Sequence, residues 1–389
     1  MKIHFISSLN RCPWGGSEEL WSQAAEHLRT TGAEVSACVK WWPEASLSPR
    51  VNRMVERGIP VQYWGKPRGR GKRFVDLGVR VARMMTGRVL NHSTDWWVPV
   101  AADLIVLNSP GNGFPLELIH RCMAQGLPYV LVCQSVSESE WIVDEDLVDQ
   151  RKIFQNAERV YFVSNANLES TACQVAFKGG HFKVISNPYQ VDRQQPFGVL
   201  HDEQRHSMAF VGRLEPEHKG LDLLFRALGR PQWNERPYHL NLYGKGRSAV
   251  QVEQMARYLG ISDKLSFHGQ VESIEKVWKE NGLLVLPSRH EGLPLAVLEA
   301  MMCGRPCLVT DVSGNPEHVE DGKTGFIAAG ATVNAVAEAL ERAWARRDDW
   351  QEMGLSAYDS IRAAIPADPV ANFSKEIEKV AKKHFRERP

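Results

Sequence analysis

Four charged side chains in the second half of this 389-residue chain have types and spacings that could do chemistry together. Glu291 and Glu299 stand eight positions apart in "SRHEGLPLAVLEAMMCGRPC", residues 288–307. Arg213 and Lys219 stand six apart in "FVGRLEPEHKG", residues 210–220. An apolar run followed by Gly212 puts these cations in a loop at the carboxyl end of a predicted strand. Two cations there suit a diphosphate, which arginine can bind bidentately. Glu215 and Glu217 lie between them, so a solvated charged loop is the plainer alternative.

The glutamates sit in a second strand-to-helix passage. "SRHEG" forms the loop, and Pro294 suits the first turn of a helix running to about Cys303. Backbone amides around Gly292 and Leu293 would point from the helix start into a cleft, with Glu291 at its mouth and Glu299 over a turn further in. Two carboxylates beside an anion site are electrostatically costly, so they match hydroxyls better than phosphate. A ribose diol and a sugar ring, both neutral and joined to opposite ends of a diphosphate, are natural partners. The purely structural reading is helix capping by Glu291 and a buried ion pair at Glu299.

Near the N-terminus, "SSLNRCPWGGSEELW" leads through Gly15 and Gly16 into a predicted helix with Ser17 as N-cap. The glycine pair lets backbone amides approach a ligand, and a helix start favours an anion. A turn that needs glycine for geometry alone fits equally well. Trp14 is placed to stack on a sugar or to pack on its own loop. "YGKGRSA", residues 243–249, matches the G-x-G-x-x-A pattern of a dinucleotide site, with Asp263 19 residues beyond Gly244. Asp263 precedes the next predicted strand instead of ending it, which argues against NAD. "DED" at 144–146 forms a D-x-D metal signature but lies in an acidic helical stretch, as a solvated helix face would.

The elements that must hold these residues alternate between short apolar runs and helices, the pattern of parallel sheets covered on both faces. In the first half, strands are predicted at 2–7, 34–39, 104–107, 129–133, 159–163 and 183–185. The second half restarts the pattern at 208–211, 240–243, 265–267, 283–286, 306–309 and 325–327. The fold class expected is α/β, two Rossmann-like doubly wound domains facing a central cleft. The first spans 1–190 and the second 207–365, with a polar linker at 191–206. Residues 366–389 are expected to form a helix, capped by Asp368 with Pro369 in its first position, that packs back on the first domain.

Composition narrows the class further. The chain is 43% hydrophobic and 24% charged with a formal net charge of +1, so no global field draws it to nucleic acid. No apolar run approaches the ~18–20 residues of a membrane span. The N-terminus meets Asn10 and Arg11 too soon for a signal peptide. Seven scattered cysteines read as reduced thiols in a cytoplasmic protein.

Together, "FVGRLEPEHKGLDLL", "LYGKG", "LSFHGQV" and "PSRHEGLPLAVLEAMMCGRPCLVTDVSGNPEHVEDGKTGFI" resemble, in order, the GT-B retaining glycosyltransferases of family 4. "FVSNANLES" and "VISNPYQVD" are similar to the family's late N-domain and linker segments. The pair Glu291–Glu299 fits its E-x7-E signature. The resemblance implies that Arg213 and Lys219 hold the donor diphosphate and Glu299 the ribose. It gives Glu291, with the amides of Gly292 and Leu293, the transferred sugar. Gly15 and Gly16 would close the diphosphate site from the opposite domain, with Gly212 and Gly244 in the donor loops. The family commonly places a histidine after the strand "YVLVC"; here Gln134 stands in its place, followed by Ser135. Glutamine hydrogen-bonds a hydroxyl but takes no proton at neutral pH, which leaves acceptor handling open. If the departing diphosphate takes the acceptor proton in a front-face substitution, no protein base is required.

The implied activity is retaining, metal-independent transfer from a nucleotide-diphosphate donor, a UDP- or GDP-sugar, to a glycan, lipid-linked or small-molecule acceptor. No cofactor is implied beyond the nucleotide-sugar co-substrate. Competing readings are a non-catalytic sugar-nucleotide or glycan binding protein, a hexose epimerase and an NAD-dependent oxidoreductase. On the acceptor side, "GKPRGRGKRFVDLGVRVARMMTGR", residues 65–88, carries eight Lys/Arg against Asp76 alone. Lys66, Arg68, Arg70, Lys72 and Arg73, with Trp14, are candidates to meet an acceptor or an anionic membrane surface. Phe74, Leu77, Val81 and Met84–Met85 follow at near-helical spacing, and a core-facing helix behind a solvated loop fits them as well. The expected location is cytoplasmic, or peripheral on the inner face of a membrane.

Overall fold

The computed structural model describes residues 1–43, 48–66, 96, 98, 101–139, 141–194, 196–198, 206–271 and 273–386. Seven strands form the first sheet: β1 (Lys2–Ser7), β2 (Glu34–Lys40), β3 (Val61–Trp64), β4 (Leu104–Ser109), β5 (Tyr129–Cys133), β6 (Arg159–Phe162) and β7 (Phe182–Val184). Their order is β3-β2-β1-β4-β5-β6-β7, and every pairing is parallel. Six strands form the second: β8 (Ser207–Val211), β9 (His239–Tyr243), β10 (Leu265–Gly269), β11 (Leu283–Leu286), β12 (Cys307–Thr310) and β13 (Gly325–Ala328). Its order is β10-β9-β8-β11-β12-β13, again all parallel.

Helices cover both faces, so the central strands β4, β5, β11 and β12 are buried at every position, which is why they read as continuous apolar runs. Strand order reverses between β1 and β4 in the first sheet and between β8 and β11 in the second. At such a switch point neighbouring connections leave in opposite directions and open a crevice at the carboxyl ends of the strands.

Four local expectations are corrected. β3 was not predicted from sequence: it is a four-residue edge strand, and only Trp64 is fully buried. Ser17 is not an N-cap; a 3-10 turn at Gly16–Glu18 precedes the helix Glu19–Thr30, whose start has no side-chain cap. Pro294 keeps an extended ψ of 126°, so its helix begins one residue later, at Leu295–Met302. Val163, expected at the end of β6, leaves the sheet and joins the hydrophobic core of the second domain.

The chain crosses between domains twice, and the crossings are bound together. Arg193 donates to the Ile365 carbonyl (2.8 Å) and receives the Tyr358 hydroxyl on its own carbonyl (2.8 Å). The Tyr189 hydroxyl donates to the Ala367 carbonyl (3.0 Å). The last helix, Pro369–Arg386, then returns to the first domain; the Asp368 carboxylate caps it at Ala371 N–H (2.8 Å). Its Phe373, Ile377, Val380 and Ala381 share a core with Leu20, Trp21, Ala24 and Leu28 of the helix Glu19–Thr30. Among the described residues, no helix is long and apolar enough to cross a membrane. Lys66 is exposed just beyond β3, while Arg68, Arg70, Lys72, Arg73 and the apolar residues 74–85 lie outside the described residues.

Because Ile377 is fully buried, Ile377→Ala should lower stability by about 2–5 kcal/mol. A urea titration should show the midpoint falling at constant slope. An unchanged midpoint would mean that the terminal helix is not part of the cooperative unit.

Candidate active site

Lys219 ends the short helix Pro216–Lys219 after β8, and Glu291 lies in the loop after β11. Arg289 ties the two loops together. Its guanidinium binds Asp222 through both carboxylate oxygens (2.6 and 2.8 Å) and the Pro216 carbonyl (2.8 Å). Its backbone N–H donates to the His218 carbonyl (2.8 Å). This clamp brings the Lys219 ammonium into an ion pair with Glu291, and both side chains are largely buried. The Ser288 hydroxyl donates to the same carboxylate (2.6 Å), while its carbonyl is held by the Thr310 hydroxyl (2.6 Å). Arg213 pairs with Glu215 (3.2 Å) and reaches Cys12 Sγ of the first domain at 4.0 Å. An anion bridging both cations would therefore exchange with two carboxylates.

Glu299 is different. It is buried, and its carboxylate accepts a bond from Gln190 N–H (3.2 Å) but makes no ion pair among the described residues. The structural alternative is thus inverted: Glu291 has the ion pair and Glu299 does not. Burial pushes the Glu299 carboxyl up to about 8, opposed by the Gln190 N–H and reinforced by the carboxylate of Glu19 in the first domain.

Both domains meet in front of these loops. A Cβ on Gly292 would lie 1.8 Å from the Gln134 carbonyl oxygen, so only glycine permits this approach. Gly16 faces Leu295 across the cleft, a Cβ there lying 3.3 Å from its side chain, while Gly15 is unobstructed. Arg11 donates to His218 Nε2 (3.0 Å), which requires that nitrogen to be unprotonated. Glu317 caps the start of the helix Asn165–Gln174 from the opposite domain, at Ala166 N–H (2.7 Å). Gln134 donates from Nε2 to Asn108 Oδ1 (3.0 Å), and its Oε1 is buried with no hydrogen-bond partner among the described residues.

Trp14 packs on its own segment, with its ring 6.1 Å from Trp21 and its indole N–H on Glu19 (2.9 Å). Gly212 contacts the Lys219 stem, and Leu293 is buried. Gly244 and Gly246 are crowded by the neighbouring loop: a Cβ would meet the Gly212 carbonyl at 2.0 Å and the Leu214 carbonyl at 2.4 Å. That loop-to-loop approach accounts for the glycines of "GKGRSA" without a dinucleotide. "DED" opens the helix Asp144–Asn156 on an exposed face. Among the described residues, Glu215, Glu217 and His218 form one group with metal-ligand spacing. Each is already engaged by an arginine: Arg213, Arg247 and Arg11 respectively.

Comparison with known proteins bears on this geometry. Residues 205–346 match the family described as "Glycosyl transferases group 1". That match covers most of the second domain. A D-inositol 3-phosphate glycosyltransferase of Gordonia bronchialis is 32% identical over 168 residues, 40% of this chain and 36% of that protein. An N-acetyl-alpha-D-glucosaminyl L-malate synthase of Bacillus anthracis is 30% identical over 133 residues, 34% of this chain and 35% of that protein. The chain thus spans little more than a third of either curated relative. Among solved structures, Anabaena Alr3699/HepE in complex with UDP superposes with a TM-score of 0.70 at 17% identity, covering 98% of this chain and all of that one. Sucrose-phosphate synthase from Thermosynechococcus elongatus gives the same TM-score and identity with full coverage of both chains. At that identity the likeness establishes architecture: the chain has the GT-B fold.

Arg213, Lys219, Glu291 and Glu299 all fall inside the matched residues; Gly16 and Gln134 meet that domain from the first, at Leu295 and Gly292, whereas Trp14 and Gly15 contact residues of their own domain. Sequence reasoning missed Arg289, Ser288, Asn108 and Glu18. Glu18 is buried and pushed up to about 7 by that burial, against hydrogen bonds from Ser7, Trp21 and Ser17. Its nearest signal was a glutamate following Gly-Gly.

Glu18 and Glu299 hold their protons more tightly folded than unfolded. The stability this confers is present below about pH 4.5, the ordinary carboxyl value, and is lost as pH rises towards 7 and 8. Glu299→Gln should therefore flatten the decline by on the order of a few kcal/mol between the two limits. Parallel stability–pH curves for variant and wild type would show that Glu299 ionises freely.

Proposed function

We propose that the chain is a retaining glycosyltransferase that moves a sugar from a UDP- or GDP-sugar to a glycan, lipid-linked or small-molecule acceptor without a metal ion. The observation that carries this reading is the Lys219–Glu291 pair, clamped by Arg289 beside Arg213 and the separate buried carboxyl of Glu299. Two cations and two carboxyls with different surroundings match a diphosphate flanked by two hydroxyl-bearing groups. Support also comes from Anabaena Alr3699/HepE, a protein of the same fold crystallised with UDP and with UDP-glucose.

In this reading the diphosphate displaces Glu215 and Glu291 from Arg213 and Lys219. The two cations then neutralise the charge that develops on the leaving group, the work a metal does elsewhere. Glu291, freed from lysine, accepts hydroxyls of the transferred sugar. The ribose diol supplies Glu299 with the hydrogen-bond donors that Gln190 alone does not. The acceptor oxygen attacks the anomeric carbon from the face the diphosphate leaves. Its proton passes to the departing diphosphate oxygen, so Gln134 needs no basicity.

Calorimetry with UDP and GDP in the presence of EDTA should show one of them binding. Lys219→Ala should weaken it at least roughly tenfold. Glu299→Ala should weaken nucleotide binding, whereas Glu291→Ala should lower kcat more than affinity. Because hydroxyl donors favour the ionised carboxylate, binding near pH 7 should also release a proton through Glu299, and affinity should rise with pH. A strict requirement for added divalent metal, or equal loss of both parameters in both glutamate variants, would overturn this division of roles.

A further inference from the structure

The carboxyl ends of β1, β4 and β5 carry a hydrogen-bonded chain of which the proposed reaction uses only the last member. The Trp21 indole N–H donates to Glu18 Oε2 (2.9 Å), and Asn108 Nδ2 donates to Glu18 Oε1 (3.1 Å). Asn108 Oδ1 accepts from Gln134 Nε2 (3.0 Å), and Gln134 Oε1 terminates the chain with no hydrogen-bond partner among the described residues. Glu18, Asn108 and Gln134 are 2%, 2% and 5% exposed. The chain crosses the β1–β4 switch point and ends at the residue whose carbonyl touches Gly292.

Every bond in it has a forced direction. An indole N–H only donates and a carboxylate only accepts. Asn108 must turn its NH2 to Glu18 and its carbonyl to Gln134. Gln134 must then turn its NH2 inward, which leaves a carbonyl oxygen as its free end. We propose that Glu18 is a positioning residue: through Asn108 it fixes Gln134 so that the buried, unpartnered Oε1 is the atom that accepts a hydrogen bond from a non-attacking hydroxyl of the bound sugar acceptor. The proposal rests on the glycosyltransferase reading, with Gln134 facing substrate. The attacking hydroxyl keeps its hydrogen for the departing diphosphate, while an NH2 in place of Oε1 would leave the neighbouring hydroxyl without its acceptor.

The chain has a single switch. In Glu18→Gln, Trp21 still requires an acceptor, so the new NH2 faces Asn108; both amides downstream then invert, and Gln134 presents NH2. Protonation of Glu18 does the same, because Trp21 reserves Oε2 and the proton must sit on Oε1. Glu19, the adjacent acid, raises the Glu18 carboxyl, and Lys40 lines the same small cavity beside Ser7 and Trp14.

The test combines kinetics with side-chain amide NMR of the full chain. Donor turnover, with UDP- or GDP-glucose as probe, should fall roughly tenfold or more in Glu18→Gln while UDP or GDP affinity stays within about twofold. The wild-type kcat should drop on acidification through about pH 7, and the variant should lack that limb. Trp21→Phe added to Glu18→Gln frees the new amide to turn and should restore part of the lost turnover, which a merely structural role would not do. The Gln134 side-chain amide signals, protected from exchange in the wild type, should lose protection in Glu18→Gln. Unchanged signals, or a variant with wild-type kcat and pH profile, would overturn the chain. Absence of any wild-type turnover would instead refute the glycosyltransferase reading, with the Gln134 signals still deciding the chain.

Discussion

The site depends on how closely two backbones approach: Gly292 of the second domain lies against the Gln134 carbonyl of the first. A side chain at 292 would hold the domains apart, and every cross-cleft contact would lengthen with it. The approach continues one layer further, since a Cβ on Gly314 would meet the Gly292 carbonyl at 2.0 Å and the Ser164 side chain at 2.7 Å. Ser164 caps the helix Asn165–Gln174 through its hydroxyl (3.2 Å to Asn167 N–H), and Glu317 caps that helix from across the cleft. The domains therefore interleave at the level of main chain and caps, where geometry is rigid. Lys219, Glu291 and Gln134 inherit their mutual placement from this packing.

Within that frame, surroundings give the carboxyls different chemistry. Glu291 has a lysine and a serine hydroxyl, Glu215 an arginine, and Glu317 a helix start. Each has a compensating donor or cation at hand. Among the described residues Glu18 has donors but no ion pair, and Glu299 has one backbone N–H; both are raised because burial outweighs those bonds. A cation can be exchanged for another anion, so Glu291 and Glu215 are suited to yield to phosphate. A buried acid short of donors is suited to receive hydroxyls. This contrast separates carboxyls that can give up a cation from those that lack donors more sharply than the shared residue type does.

What could be read from sequence followed from how local each feature is. The central strands announced themselves because burial on both faces makes them nearly continuous apolar runs, polar only at the carboxyl ends, at Asn108, Ser109 and Thr310. β3 did not, because an edge strand with one buried residue has no run to detect. Arg213, Lys219, Glu291 and Glu299 were legible because each pair lies within one strand-to-helix passage, where type and spacing carry the meaning. Arg289 was not: its importance comes from Asp222 and Pro216, more than sixty residues away in sequence. Glu18 gave still less signal, since an acid at the start of a helix is ordinary. Trp21 lies three residues on, and only the tertiary meeting of β1 and β4 brings Asn108 to it. The basic segment at 65–88 was conspicuous in sequence, and beyond Lys66 it lies outside the described residues up to residue 88.

The helix Leu295–Met302 shows that the fold itself does not call for a carboxyl at 299. All its other side chains are alanine, leucine, valine or methionine, and every residue after Leu295 is buried. Leucine or methionine at 299 would fill similar volume without desolvating a carboxyl, so the acid is a burden on stability there. Among the described residues it has no cation to offset that burden, and its one hydrogen bond there comes from the segment leading out of the first domain. A ligand that brings its own donors turns the same position from a liability into a source of affinity. In the proposed function, the unfavourable burial of Glu299 and its binding of a diol are consequences of one arrangement.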